Sequence, residues 1–173
     1  MRGSGLRFFL IALAFLAATP AAAQEDAQVR RASSALAAIW RPITGPVSPA
    51  SIQTACTGAV EEMALIEAAL PPVLDPESLA RVRALRGLLI IPSGDDPAWS
   101  YFFPAADMAW FHSGIGAIAV LDESQGLIGV RDSGGQDVAF QLGRAGEHPV
   151  LRIRPPQGGA LLTFVGCARS IGE

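Results

Sequence analysis

The chain has 173 residues, half of them hydrophobic, with 13 basic and 16 acidic side chains and a net charge of −3. It contains no lysine and no asparagine. A mildly acidic chain without a basic run argues against nucleic acid and an anionic membrane surface as partners, and the missing lysine excludes lysine Schiff-base and lysine general-base chemistry.

The first element in chain order is an export signal. Arg2 and Arg7 precede an apolar run from Phe8 to Ala18, which breaks at Thr19-Pro20 and ends in Ala21-Ala22-Ala23. A basic start, a short apolar core and a small-residue site predict a signal peptide over 1–23, cleaved after Ala23. A membrane-spanning helix needs about 20 apolar residues, more than this run supplies. Without residues 1–23 the chain loses two of its 13 basic residues and none of its 16 acidic ones, leaving a net charge of −5. Residues 24–173 then form a single globular domain, 24–87 mainly helical and 88–173 mainly β, with no later segment that could span a bilayer. Abundant Ala, Gly, Pro and Arg fit a GC-rich bacterial genome, so the expected location is periplasmic or secreted.

Three helical patterns follow. Residues 26–40 place Val29, Ala32, Ala35, Leu36 and Ile39 on one face, and Trp40 ends the pattern before Pro42. After a connector from Arg41 to Pro49, Ser48-Pro49 reads as an N-cap with proline at the first helical position. Ile52, Cys56, Ala59, Val60, Met63 and Ile66 then recur at helical spacing until Pro71-Pro72. The third pattern has Asp75 as cap, Leu79, Val82 and Leu85 inward, and Gly87 as stop; Arg81, Arg83 and Arg86 lie off that stripe as a solvated face.

Beyond Gly87 the texture changes to short apolar runs at spacings near ten residues: 88–91, 99–103, 115–121, 127–130, 138–142, 150–153 and 161–165. Turn-forming clusters such as Asp132-Ser133-Gly134-Gly135-Gln136 separate them. No connector among the later runs can hold a crossover helix, so the strands form an antiparallel meander. The fold class is α+β: two or three N-terminal helices packed on an antiparallel, possibly barrel-like β-meander. Cys56 and Cys167, far apart in a chain with an export signal, read as a long-range structural disulfide that ties an early helix to the last strand.

Catalytic and metal chemistry find little support. Asp132-Ser133-Gly134-Gly135 resembles the nucleophile loop of trypsin-like serine proteases, and its first three residues resemble the Asp-Thr/Ser-Gly of retroviral-type aspartic proteases. Arg131 stands where the first family has glycine, the preceding histidine, His112, is too close in sequence, and too little chain follows for the second family's sheet. The run reads as a hairpin turn. His112 and His148 lie in different segments without another ligand at metal spacing, and Asp95-Asp96 and Asp122-Glu123 lack the regular spacing of a calcium loop. No cofactor or metal is expected.

One segment stands out. Six aromatic residues lie between Trp99 and Phe111, followed directly by His112 and with Asp107 between. Period-two alternation puts Trp99, Tyr101 and Phe103 on one strand face and Phe102 on the other. Such rings form either the core beneath the helices or a platform for a sugar, a peptide or a partner protein. The expected function is an exported, non-catalytic envelope protein that binds a partner protein or a cell-wall-type ligand through Trp99, Tyr101, Trp110, Phe111 and His112. The alternatives are a small periplasmic hydrolase using His112 with Asp107 or Asp132 and Ser133, or a structural accessory subunit of an envelope assembly.

Overall fold

The computed structural model describes residues 21–69, 76–77, 80, 86–93, 96–105, 108, 110–111, 114–132 and 134–169. Its elements run α1 (Ala21–Leu36), β1 (Ala38–Pro42), α2 (Pro49–Cys56), α3 (Ala59–Ala69), β2 (Leu88–Ser93), β3 (Asp96–Phe103), β4 (Gly114–Asp122), β5 (Leu127–Arg131), β6 (Asp137–Ala145), β7 (His148–Ile153) and β8 (Leu162–Ala168). A short 3-10 turn, Glu123–Gln125, joins β4 to β5. Every expected apolar run after Gly87 lies wholly or almost wholly within a strand. All neighbours are antiparallel, and β1 pairs with β8 to close an eight-stranded barrel in chain order.

Two helix expectations need correction. The first pattern does not run to Trp40: α1 ends at Leu36, and Ala38–Pro42 is the strand that closes the barrel. Its first four residues are buried on both faces, so the segment shows no alternation, and helical spacing carries through it unbroken. The second pattern is two helices, because Gly58 takes a left-handed φ of 78° and breaks the chain between α2 and α3. The third pattern, Asp75 to Gly87, falls mainly outside the described residues.

The barrel interior is filled. Trp40, Leu88, Ile90, Phe102, Val130, Phe140, Leu151 and Ile153 point inward, each with 1% or less of its surface exposed. An eight-stranded barrel leaves room for such side chains and little else. Large and small residues alternate to fit: a Cβ on Gly116 would lie 2.8 Å from Val130 Cγ1 and 3.0 Å from the Phe102 ring.

Both mouths are covered. At one, Ala32 and Leu36 of α1 join the interior cluster with Val29 packed beside them. The Ser33 and Ser100 hydroxyls share a buried hydrogen bond of 2.9 Å, and the Trp40 indole N–H donates to the Leu36 carbonyl at 2.7 Å. That bond satisfies a carbonyl left free at the helix end. Arg31 clamps the same helix to the β4–β5 turn through two bonds to Glu123 Oε1, at 3.0 and 2.9 Å. At the other mouth, Met108 and Phe111 of the β3–β4 connection seal the interior, with Phe111 edge-on to Phe102 at 5.6 Å.

Helices α2 and α3 clothe one outer wall. Met63 and Ile66 of α3 cover Ile39, Leu89 and Phe103, and Ile52 of α2 packs on Ile43 and Val165. The expected disulfide is present: Cys56, ending α2, bonds Cys167 of β8 across 111 positions. No helix among the described residues is long and apolar enough to cross a membrane.

Candidate functional site

The aromatic segment is divided among three environments. Phe102 and Phe111 are interior packing, and Trp110 packs partly buried against them. Phe103 and Tyr101 lie on the outer face, their rings stacked at 6.5 Å, under the edge of α3. Trp99 alone of the set is an exposed large side chain, at 40%. The five residues expected to form one platform are thus dispersed where they are described: Phe111 inside, Trp110 at the closed mouth, Tyr101 beside α3, Trp99 on the surface. His112 lies outside the described residues, as do Asp107 and Ser133.

Asp132 is buried, and its geometry is that of a turn. Its Oδ1 accepts hydrogen bonds from the backbone N–H groups of Gly134 and Gln136 at 2.9 and 2.8 Å. The Asp132 and Gly135 N–H groups complete the loop, donating to the Gln136 and Asp132 carbonyls at 3.0 Å each. One carboxylate oxygen is therefore committed to holding the β5–β6 hairpin closed.

A second buried charge lies beneath the helical layer. Arg41 projects outward from β1 with 6% of its surface exposed and pairs with Glu62 of α3. Burial, followed by the nearby Arg86 charge, holds its guanidinium below the ordinary arginine range. Its role is to pin α3 to the barrel wall.

A cleft of about 780 Å³ lies between α2 and the β6–β7 hairpin. Its position follows from three local choices. Ser48 and Ser51 exchange capping bonds of 3.2 and 2.9 Å, which with Pro49 fixes where α2 begins. Gly146 turns the hairpin with φ 61°, and Arg144 Nη2 donates to the Glu147 carbonyl at 2.9 Å. The disulfide then holds the end of α2 against β8. Val47, Ile52, Cys56 and Ala145 give the cleft apolar walls, while Gln53, Thr57, Glu147 and His148 bring polar groups to it. Volume and lining match those of ordinary small-ligand sites.

The sequence does not single out Gln53 and His148 as residues that line one cleft. The signal was the connection between β1 and β2, residues 43–87, far longer than any other link in the meander. Long excursions from a compact scaffold commonly carry function, but this one becomes visible only when β1 is recognised as a strand. Among the described residues, no group of three or more His, Cys, Asp and Glu could hold a metal ion. No protein-family model matches the chain, and comparisons with curated proteins and with solved structures found no similar chain.

Proposed function

We propose that this chain is an exported, non-catalytic envelope protein that binds a partner protein or a cell-wall-type ligand on the outside of its barrel. The observation that carries this reading is the filled interior. Trp40, Phe102 and Phe140 occupy the space that ligand-carrying barrels leave open, and α1 at one mouth and Met108 with Phe111 at the other pack over it. Binding is therefore assigned to the surface, at the cleft beside α2. Trp99 is the member of the aromatic segment that the surface offers, on a different wall.

Export is supported by the signal-like first 23 residues and by the disulfide, which persists in an oxidising compartment. The test is thermal unfolding of the oxidised protein against cell-wall fragments, peptides and amphiphiles. A ligand present at about 100 times its dissociation constant adds about 2.7 kcal/mol. Gln53→Trp, an exposed position at the cleft, should abolish that shift while leaving the unliganded midpoint in place. A ligand that binds the Gln53→Trp protein unchanged would move the site elsewhere.

A further inference from the structure

Helix α2 is fastened to the barrel more lightly than α3. It carries no charged side chain, and Ile52 is its one buried residue. Among the described residues, the side-chain hydrogen bonds of Ser48, Ser51, Thr54 and Thr57 all stay inside segment 46–57. Non-covalent contact with the barrel rests on Ile52, with partly buried Val47 and Ala55 beside it, against Ile43 and Val165. Helix α3 has Met63, Ile66 and the Glu62–Arg41 pair instead. On either side of segment 46–57 lies a glycine in the left-handed region, Gly45 at φ 86° and Gly58 at φ 78°, and a Cβ at either would meet nothing within 4 Å. Backbone freedom and open space together make these two positions joints. The chain's one cross-link, Cys56–Cys167, straps the unit between them to β8.

We infer that this disulfide is a redox gate for the cleft, an inference that rests on the cleft being the binding site. Oxidised, the bond holds in place the face of α2 that forms one wall, with Pro49, Ile52, Gln53, Cys56 and Thr57 at helical spacing along it. Reduced, it lets α2 swing on Gly45 and Gly58, and the cleft loses that wall. Cys56 itself lines the cleft, and both cysteines are only half-buried, so a reductant reaches the bond in the folded protein. The reductant is, by chemical class, a dithiol. Its thiolate attacks Cys56 Sγ, the Cys56–Cys167 bond breaks, and Cys167 leaves as a thiolate that takes up a proton. The second thiol of the reductant then resolves the mixed disulfide and frees Cys56 as a thiol. Both electrons come from the dithiol, which departs as a disulfide. Closure of the barrel does not use the bond, since the β1–β8 ladder and the interior side chains supply it, so the opening is local.

Hydrogen exchange of the full chain, oxidised and after dithiothreitol without denaturant, tests this. Reduction should expose both thiols to a labelling reagent in the folded protein, and amides of 49–57 should exchange about 10-fold faster or more while β4 to β7 stay protected. A bond that resists dithiothreitol until the protein unfolds overturns the inference. So does unchanged exchange in α2, or loss of protection in β4 to β7 together with α2, which would make the bond a support of the whole fold. Binding is the second readout, with a ligand found by the thermal screen. Its affinity should fall about 10-fold or more on reduction and return on reoxidation. A ligand blocked by Gln53→Trp but indifferent to reduction keeps the cleft as the site and overturns the gate. One that binds Gln53→Trp and the reduced protein as it binds the oxidised wild type removes the cleft as the site, and the gate with it.

Discussion

Strands β1, β2 and β8 are buried on both faces along much of their length, whereas β5 and β6 alternate between buried and exposed residues. The first group lies under α2 and α3, with Ile39, Leu89 and Val165 facing outward into apolar helix side chains. The second faces water, with Arg131, Asp137, Ala139 and Gln141 outward. One barrel therefore has a clothed wall and a bare wall. The clothed wall is fastened by a disulfide and by an ion pair between buried Arg41 and half-buried Glu62, both within or anchored to the long β1–β2 connection. On the bare side the outer face goes uncovered, and α1 is tied to it at the β4–β5 turn through Arg31 and Glu123.

The largest way to break the contrast is to unfasten the clothed wall. Replacing both Cys56 and Cys167 with serine should lower stability by up to about 4–5 kcal/mol, since the bond closes a loop of about 100 residues. Denaturant unfolding with and without reductant checks this, and reduction of the wild type should reproduce the double variant. An unchanged midpoint would mean that Ile52 and its neighbours hold α2 without help.

Next comes the ion pair. Glu62→Gln leaves the Arg41 guanidinium buried without its counter-charge, at an expected cost of up to about 3 kcal/mol. The paired replacement Arg41→Met with Glu62→Met should recover much of that loss, because it removes the buried charge altogether. A double variant no better than Glu62→Gln would show that the pair itself, rather than the orphaned charge, stabilises the wall.

A smaller effect probes the interior that both walls share. Gly116→Ala puts a methyl against Val130 Cγ1 and the Phe102 ring, and overpacking of this kind costs about 1–3 kcal/mol. Phe102→Leu in the same chain should return part of it, visible in the thermal midpoint.

The smallest effect belongs to the turn between β4 and β5. Hydrogen bonds from the Ser124 side chain, and then from the Gln125 and Ser124 backbone groups, hold the Asp122 carboxyl below the ordinary carboxylate range. A depressed folded pKa stabilises above the unfolded value near 4 and loses that contribution as pH falls through the folded value. Asp122→Asn should therefore flatten the acid limb of the stability profile and leave neutral pH little changed. Unfolding midpoints measured from neutral to strongly acidic pH would show it.

The pattern of legibility follows the same two walls. On the bare side the sequence by itself determined the strands, because one-sided burial writes alternation into β5 and β6, and turn residues such as Asp132 and Gly126 mark their ends. It also determined the Ser48-Pro49 cap and, from two cysteines in a chain read as exported, the disulfide. On the clothed side, only the tertiary structure decided. Ala38–Pro42 is a strand because β8 and β2 flank it, and double-sided burial leaves no alternation by which to read it. The division of the aromatic segment was equally out of reach. Phe111 and Trp99 are both large rings in one stretch of chain, and which of them meets water depends on barrel closure and on where α3 comes to lie. The cleft has the same origin, since Gln53 and His148 come to line one cleft only when α2, held to β8 by a disulfide across 111 positions, lies beside a distant hairpin. Local patterning fixes period and turns; burial on the second face, and the sites that it creates, are set by what packs there.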